Sequence, residues 1–362
     1  MLELLFFTIV IIQVFFYVFF FSKFAFSKSN KNIIKSSDLP ISIIICAKNE
    51  AVNLKNFLPY IINQNYNNFE VILVNDHSSD NTLEVMEGFK KEFNIIRIIN
   101  LNKNESNKKN AVTQGVKAAK YENLIFTDAD CKPNSNLWIN EMSSHFNEKT
   151  KIVLGYGAYK KVNESWLNKL IRFETILTAI QYFSYAKVNL AYMGVGRNLA
   201  YTKTLFNNAN GFKSHENIKS GDDDLFINQV ANNNVSCCFT KESFTISEPH
   251  TNFKKWIYQK RRHISTATTY KPIHQFILGL FYISQFLFWF LSFYLTIFKE
   301  FNIVILTLIV LRIALQYIVF GLSSNKLNEK DIIIYLPFLE LFLITIQMRI
   351  FMQNLFSKPT NW

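Results

Sequence analysis

Two stretches decide the fold: ISIIICAKNEAVNL (residues 41–54) and EVILVNDHSSDNT (residues 70–82). Each opens on a run of Ile and Val too continuous to alternate between a wet and a dry face. That predicts a strand buried on both sides, hence a parallel one. Each run then breaks into polar residues before apolar positions resume at helical spacing: Val52, Leu54, Phe57, Leu58, Ile61 and Ile62 after the first, and the stretch 83–93 after the second. IIRIIN (95–100), a helix near 109–119 and NLIFTD (123–128) repeat the unit. Strands and helices in this alternation predict an α/β body with an open, mostly parallel sheet and helices on both faces.

Outward from that body the composition changes. The chain has 362 residues, 49% of them hydrophobic and 36 of them Phe, which excludes a disordered chain. Residues 4–22 are almost wholly apolar and long enough to cross a bilayer. Glu3 before the run and bulky Phe at its end favour a retained anchor (1–22) over a cleaved signal peptide. Three more spans are expected near 276–298, 303–322 and 332–352, making 276–352 a C-terminal membrane region. Lys23, Lys28, Lys31 and Lys35 follow the first span, and Lys254, Lys255, Lys260, Arg261, Arg262 and Lys271 precede the second. By the positive-inside rule the body, residues 38–270, faces the cytoplasm of a multi-pass inner-membrane protein. The net charge of +12 is concentrated beside these spans and accompanies no nucleic-acid-binding motif, so its expected partner is the membrane surface and not nucleic acid. Arg312, Glu340, Gln347 and Arg349 fall within apolar runs, where such groups serve helix–helix contact or a lipid-linked substrate. Cys46, Cys131, Cys237 and Cys238 lack metal or redox spacing and read as reduced packing residues. Residues 164–190 and the stretch around Trp256 and Tyr258 read as amphipathic helices, set either at the bilayer interface or against the sheet.

In an open parallel sheet, ligands bind beyond the carboxyl ends of the strands. The residues there are Lys48, Asn49 and Glu50 after the first strand, Asp76 after the second, and Asp128 and Asp130 after the fourth. Asp80 and Asn81 are expected to cap the following helix. Asp128-Ala129-Asp130 offers two carboxylates flanking one small residue, a pattern suited to Mg²⁺ or Mn²⁺ bound together with a diphosphate. No GxGxxG or GxxxxGK[ST] follows a strand, so neither a dinucleotide loop nor a P-loop is supported.

With these residues in view the chain resembles glycosyltransferase family 2. The resemblance rests on ISIIICAKNEAVNL, VILVNDHSSDNT, KKNAVTQGV, FTDADC, GVGRNLAY, SGDDDLFI and, less well, YQKRRH, in that order across residues 41–263. It implies the Rossmann-like GT-A fold and an inverting, metal-dependent hexosyltransferase. Such an enzyme moves a sugar from a UDP- or GDP-linked donor to a lipid-linked or membrane-associated glycan acceptor, as in cell-envelope polysaccharide biosynthesis. By the same resemblance, Asp76 contacts the donor's uracil or ribose, with Lys48, Asn49 and Glu50 nearby and Lys108 beside the base or phosphates. Asp128 and Asp130 hold Mg²⁺ or Mn²⁺, with His250 a further candidate ligand. Gln259, Arg261 and Arg262 lie in a stretch similar to the family's QxxRW, which contacts donor diphosphate and acceptor.

Two departures from the family pattern matter. The catalytic acid motif is one residue short: alignment on Leu225 makes Asp222 the general base, whereas alignment on the leading Gly makes it Asp223, the slightly preferred reading. His263 replaces the motif's Trp and removes an aromatic surface for a held polymer. A processive synthase and a non-catalytic scaffold that retains the fold are the competing readings.

Overall fold

A computed structural model describes residues 1–29, 39–218, 220–299 and 302–356. Lys31, Lys35 and residue 38, where the body was expected to begin, lie outside that set. The chain divides into two compact units. Among the described residues, one is built from 29, 39–162 and 191–250, the other from 1–28, 163–190 and 251–356. The helices Trp166–Lys187 and Phe253–Thr266, expected in the body, therefore cluster with the membrane-type helices.

The first unit is the α/β body. Its strands are β1 (Ile41–Ala47), β2 (Phe69–Asn75), β3 (Ile96–Asn100), β4 (Asn123–Phe126), β5 (Cys131–Pro133), β6 (Ile152–Leu154), β7 (Gly157–Tyr159), β8 (Leu199–Thr202), β9 (Val235–Cys237) and β10 (Thr245–Ser247). Among the described residues, one sheet runs β3-β2-β1-β4-β8-β6-β9 and a small one runs β5-β10-β7. β3, β2, β1 and β4 are mutually parallel, as their apolar runs predict. β8 then enters antiparallel between β4 and β6. Ile41, Ile43, Ile44 and Ile45 are all essentially inaccessible to solvent, because helices cover both faces of the central strand. The core on one face joins Ile43 and Ile45 to Leu54, Leu58, Leu73, Met86 and Trp138. Asp80 does most of the capping before Thr82–Glu92: its carboxylate accepts from the Thr82 amide and hydroxyl and from Ala51 N, while Asn81 holds the N-cap position without a side-chain bond.

The second unit is helical. Among its described residues, Leu2–Ala25, Pro272–Phe298, Ile303–Lys326 and Lys330–Phe356 are long and apolar enough to cross a membrane. The first contains a π-helical segment, Phe16–Phe21. Arg312 and Glu340 are fully buried and pair at 2.7 Å. The guanidinium also donates to Gln13 Oε1 (2.8 Å) and Gln316 Oε1 (2.5 Å), while Glu340 accepts from Gln285 (2.5 Å) and Trp289 (2.9 Å). One network therefore ties all four helices, and the buried charges act as the glue between them. Trp166–Lys187 buries Leu170, Ile171, Phe173, Leu177, Ile180 and Phe183, so packing rather than a lipid surface takes most of its apolar side. Its Arg172 is buried against Glu329 and Asp331.

Candidate active site

The polar residues after the parallel strands meet in the α/β body. Lys108 opens the helix Lys108–Ala118, whose N-cap Asn107 accepts from the Asn110 amide. The Lys108 ammonium reaches Oδ1 of Asp128, beyond β4, at 2.7 Å. A pocket there has an apolar floor of Ile44, Cys46, Val112, Phe126, Leu199 and Tyr201, and a rim that includes Lys108, Asp128, Gly196, Asp222 and Asp223. Gly221, at φ +97°, makes the left-handed turn that delivers the acidic run to this rim.

Charges in this pocket are strongly coupled. Burial alone lowers the affinity of Lys108 for its proton, yet Asp128 and Asp222 more than offset it and hold the ammonium well above its usual range. Asp222 is shifted upward by burial, Lys108 opposing and Asp128 adding. Asp223 is pushed up to about 8, first by burial and then by Asp222 and Asp224. The half-buried Cys46 thiol, pushed up to about 12 chiefly by desolvation, feels Lys108, Asp222, Asp128 and Asp76 together, which brings acids from separate strand ends into one electrostatic neighbourhood.

Asp222 and Asp223 differ in what they hold. Both oxygens of Asp223 are engaged by backbone amides, Oδ2 by Gly196 N and Oδ1 by Asp224 N, each at 2.7 Å, so Asp223 caps the helix Asp224–Val230 and fixes the GVGRN loop. Asp222 stands at the rim beside Lys108 and Asp128.

Asp76 is 1% exposed, and neither carboxylate oxygen accepts a hydrogen bond. Lys48 is 3.9 Å away, its ammonium donating to Ser106 Oγ at 2.8 Å. A buried carboxylate without donors is costly. Asn49, at φ 59°, joins two loops by accepting from Ser79 N and donating its own amide to Ser78. Glu50 accepts from Asn53, and burial raises its carboxyl.

Asp130 is shifted upward by burial and by Asp128. Ligating atoms of Asp128, Asp130 and Cys131 lie within 4.8 Å of one another. Two hard carboxylate oxygens suit Mg²⁺ or Mn²⁺, whereas the soft Cys131 Sγ lies between Ser247 Oγ at 2.9 Å and Asp130 Oδ1 at 3.4 Å. Among the described residues this cluster does not include His250. Gln259, Arg261 and Arg262 lie in the helical unit on Phe253–Thr266, where Arg261 donates to Asn354 at 3.0 Å.

Sequence reasoning gave no role to Arg197. Its guanidinium stacks 4.2 Å over Tyr159, donates to the Ala158 carbonyl at 3.2 Å, and presents a fixed positive charge to Asp130 and Asp128. The signal was its place inside GVGRNLAY.

Residues 42–207 match the family model described as Glycosyl transferase family 2. A poly-β-1,6-N-acetyl-D-glucosamine synthase of Staphylococcus epidermidis is 36% identical over 90 residues, 25% of this chain and 21% of that protein. The Staphylococcus aureus synthase is 31% identical over 115 residues, 32% of this chain and 27% of that one. The chain thus matches about a fifth to a quarter of the length of these relatives. A mannosyltransferase of Pyrobaculum calidifontis, solved with GDP-Man and Mn²⁺, superposes with a TM-score of 0.59 at 14% identity, covering 94% of this chain and 99% of that one. The shared fold is GT-A.

Proposed function

Because residues 42–207 form a family 2 glycosyltransferase domain, we propose that this protein is a membrane-bound, inverting enzyme. It transfers a sugar from a nucleoside-diphospho-sugar to a lipid-linked or membrane-associated glycan, with the α/β body facing the cytoplasm. The observation that carries this reading is the meeting of Lys108, Asp128 and Asp222 at one rim, next to the donor-less carboxylate of Asp76.

Each residue has a task in that reading. Asp76 accepts N–H or O–H groups of the nucleoside, with Lys48 and Glu50 beside it. Lys108 offers its ammonium to the diphosphate. Asp128 and Asp130 hold the divalent cation, which when bound neutralises charge building on the departing diphosphate. Asp222 is the general base, a role favoured over Asp223 because Asp223 already spends both oxygens on backbone amides. Asp222 takes the proton of the acceptor hydroxyl as that oxygen bonds to the anomeric carbon. The bond from that carbon to the diphosphate oxygen breaks with its electron pair, so one displacement inverts the configuration.

The likeness to poly-N-acetylglucosamine synthases favours a second reading, in which the same transfer repeats to extend a polymer. Product length from purified enzyme separates the two. The primary test is UDP or GDP release from a panel of nucleotide-sugars by full-length protein in membranes. Asp130→Ala and Asp222→Asn are each expected to abolish release while the protein stays folded. Full activity of the first removes the metal role; full activity of the second moves the base to Asp223.

A further inference from the structure

Lys109 follows Lys108 in the sequence, but one residue along a helix turns a side chain by about 100°. The two ammonium groups therefore serve different parts of the body. Lys109 is 6% exposed, and its Nζ donates to the carbonyls of His215 (2.5 Å) and Ile218 (2.6 Å). An ammonium has three donors and no acceptor, so two carbonyls from one short segment use most of its capacity.

That segment leads straight into the acidic run. Asp222 closely follows Ile218, and Ser214 Oγ donates to Gln229 Oε1 at 2.7 Å, tying the segment to the helix that the run begins. His215 packs edge-on against Phe212 with ring centroids 5.8 Å apart. Burial and the adjacent Lys109 charge hold its imidazole down at about 4, so it adds no second cation near neutral pH. Burying an ammonium against neutral carbonyls alone is expensive. Here Asp222 and Asp224 supply the compensating negative charge, although burial still draws Lys109 down to about 8.

We propose that Lys109 is a positioning residue: by clamping the carbonyls of His215 and Ile218 it sets the approach of the chain to Asp222 and so aims the base at the acceptor. Donor binding is assigned above to Lys48, Asp76 and Lys108, whereas the Lys109 ammonium is taken up by the carbonyls of His215 and Ile218. The consequence is a loss in turnover without a loss in nucleotide affinity. This rests on the base assigned above.

The test uses full-length enzyme and whichever of UDP-GlcNAc or GDP-mannose the wild type turns over. Lys109→Met is expected to lower kcat about 30-fold while the Kd for the matching nucleoside diphosphate stays within about twofold. Lys109→Arg, which keeps the charge and N–H donors, is expected to recover about tenfold of that loss. If Lys109→Met stays within about threefold of wild type, the proposal is overturned. A parallel loss of turnover and nucleotide affinity that Lys109→Arg does not repair overturns it as well. Asp222→Asn is run alongside: an active Asp222→Asn defeats the base assignment, whereas an inactive one paired with an unimpaired Lys109→Met defeats the clamp alone.

Discussion

Lys108 Nζ and Asp128 Oδ1 lie 2.7 Å apart, so the carboxylate proposed to hold a divalent cation is already held by an ammonium. In the proposed reading a bound cation would compete with Lys108 for this oxygen, and the donor's diphosphate would relieve that competition by taking up the ammonium. Lys108→Met is therefore expected to bind Mn²⁺ several-fold more tightly in the absence of donor, yet to turn over about 100-fold more slowly. Electron paramagnetic resonance titration of Mn²⁺ reads the first effect and nucleotide release the second. Unchanged Mn²⁺ affinity would disconnect Lys108 from the metal site. EDTA should silence the wild type, and added Mn²⁺ or Mg²⁺ should restore it.

Both oxygens of Asp76 are buried without a donor, a cost to the folded protein that the proposed nucleoside contact would relieve. Asp76→Asn removes the charge at constant shape. The melting temperature of the ligand-free protein is expected to hold or rise, while UDP or GDP binding weakens by about tenfold or more. Calorimetry on both states checks it; a lower melting temperature with intact nucleotide binding makes Asp76 a structural residue.

The acidic rim sets a pH dependence opposite to that of an ordinary salt-bridged carboxylate. Asp223 is raised to about 8, and Asp222, Asp130 and Glu50 shift the same way. The folded state therefore keeps protons that the unfolded chain releases near pH 4, roughly the ordinary carboxylate value. Stability conferred at low pH is lost as pH rises from there through about 8. Thermal scans without metal should show the melting temperature falling across that window, with a shallower slope in Asp223→Asn. Turnover should rise with pH as Asp222, shifted upward by burial, ionises. A flat melting profile contradicts the shifts.

At Gly155 a side chain lies close against the backbone. A Cβ there would sit 2.4 Å from Asn198 Cγ. Asn198 has no room to retreat: it accepts from Trp138 Nε1 (3.1 Å) and donates to the Tyr156 (3.0 Å) and Ser243 (2.7 Å) carbonyls. Gly155→Ala is expected to destabilise the body by about 1–3 kcal/mol, seen as a lower denaturation midpoint. A neutral result would mean the loop yields freely.

What could be read from the sequence tracks how local each signal is. β1 and β2 declare themselves through unbroken Ile and Val, and Asp76 and Asp128 follow from them as strand-end residues. β8 does not: Leu199–Thr202 is four residues long, and nothing local marks it as antiparallel between β4 and β6. The three-residue strands of the small sheet are equally silent. At the site, the identity of the acids is legible, but the division of labour between Asp222 and Asp223 is not, because it depends on the Gly196 amide, 27 residues away in the chain. Arg197 and Lys109 escaped for the same reason, their partners being a distant ring and distant carbonyls.

The bond from Arg312 to Gln13 spans 299 residues of chain. A ribosome working at about 5–20 residues per second needs roughly 15–60 s to make the second partner after the first. The Gln13 N–H finds Ser284 Oγ only 271 residues on, at 2.8 Å, so for most of that interval the first helix carries a polar amide without its final partners. Emergence of the last helices, rather than of the first, is the step of biosynthesis that commits the bundle.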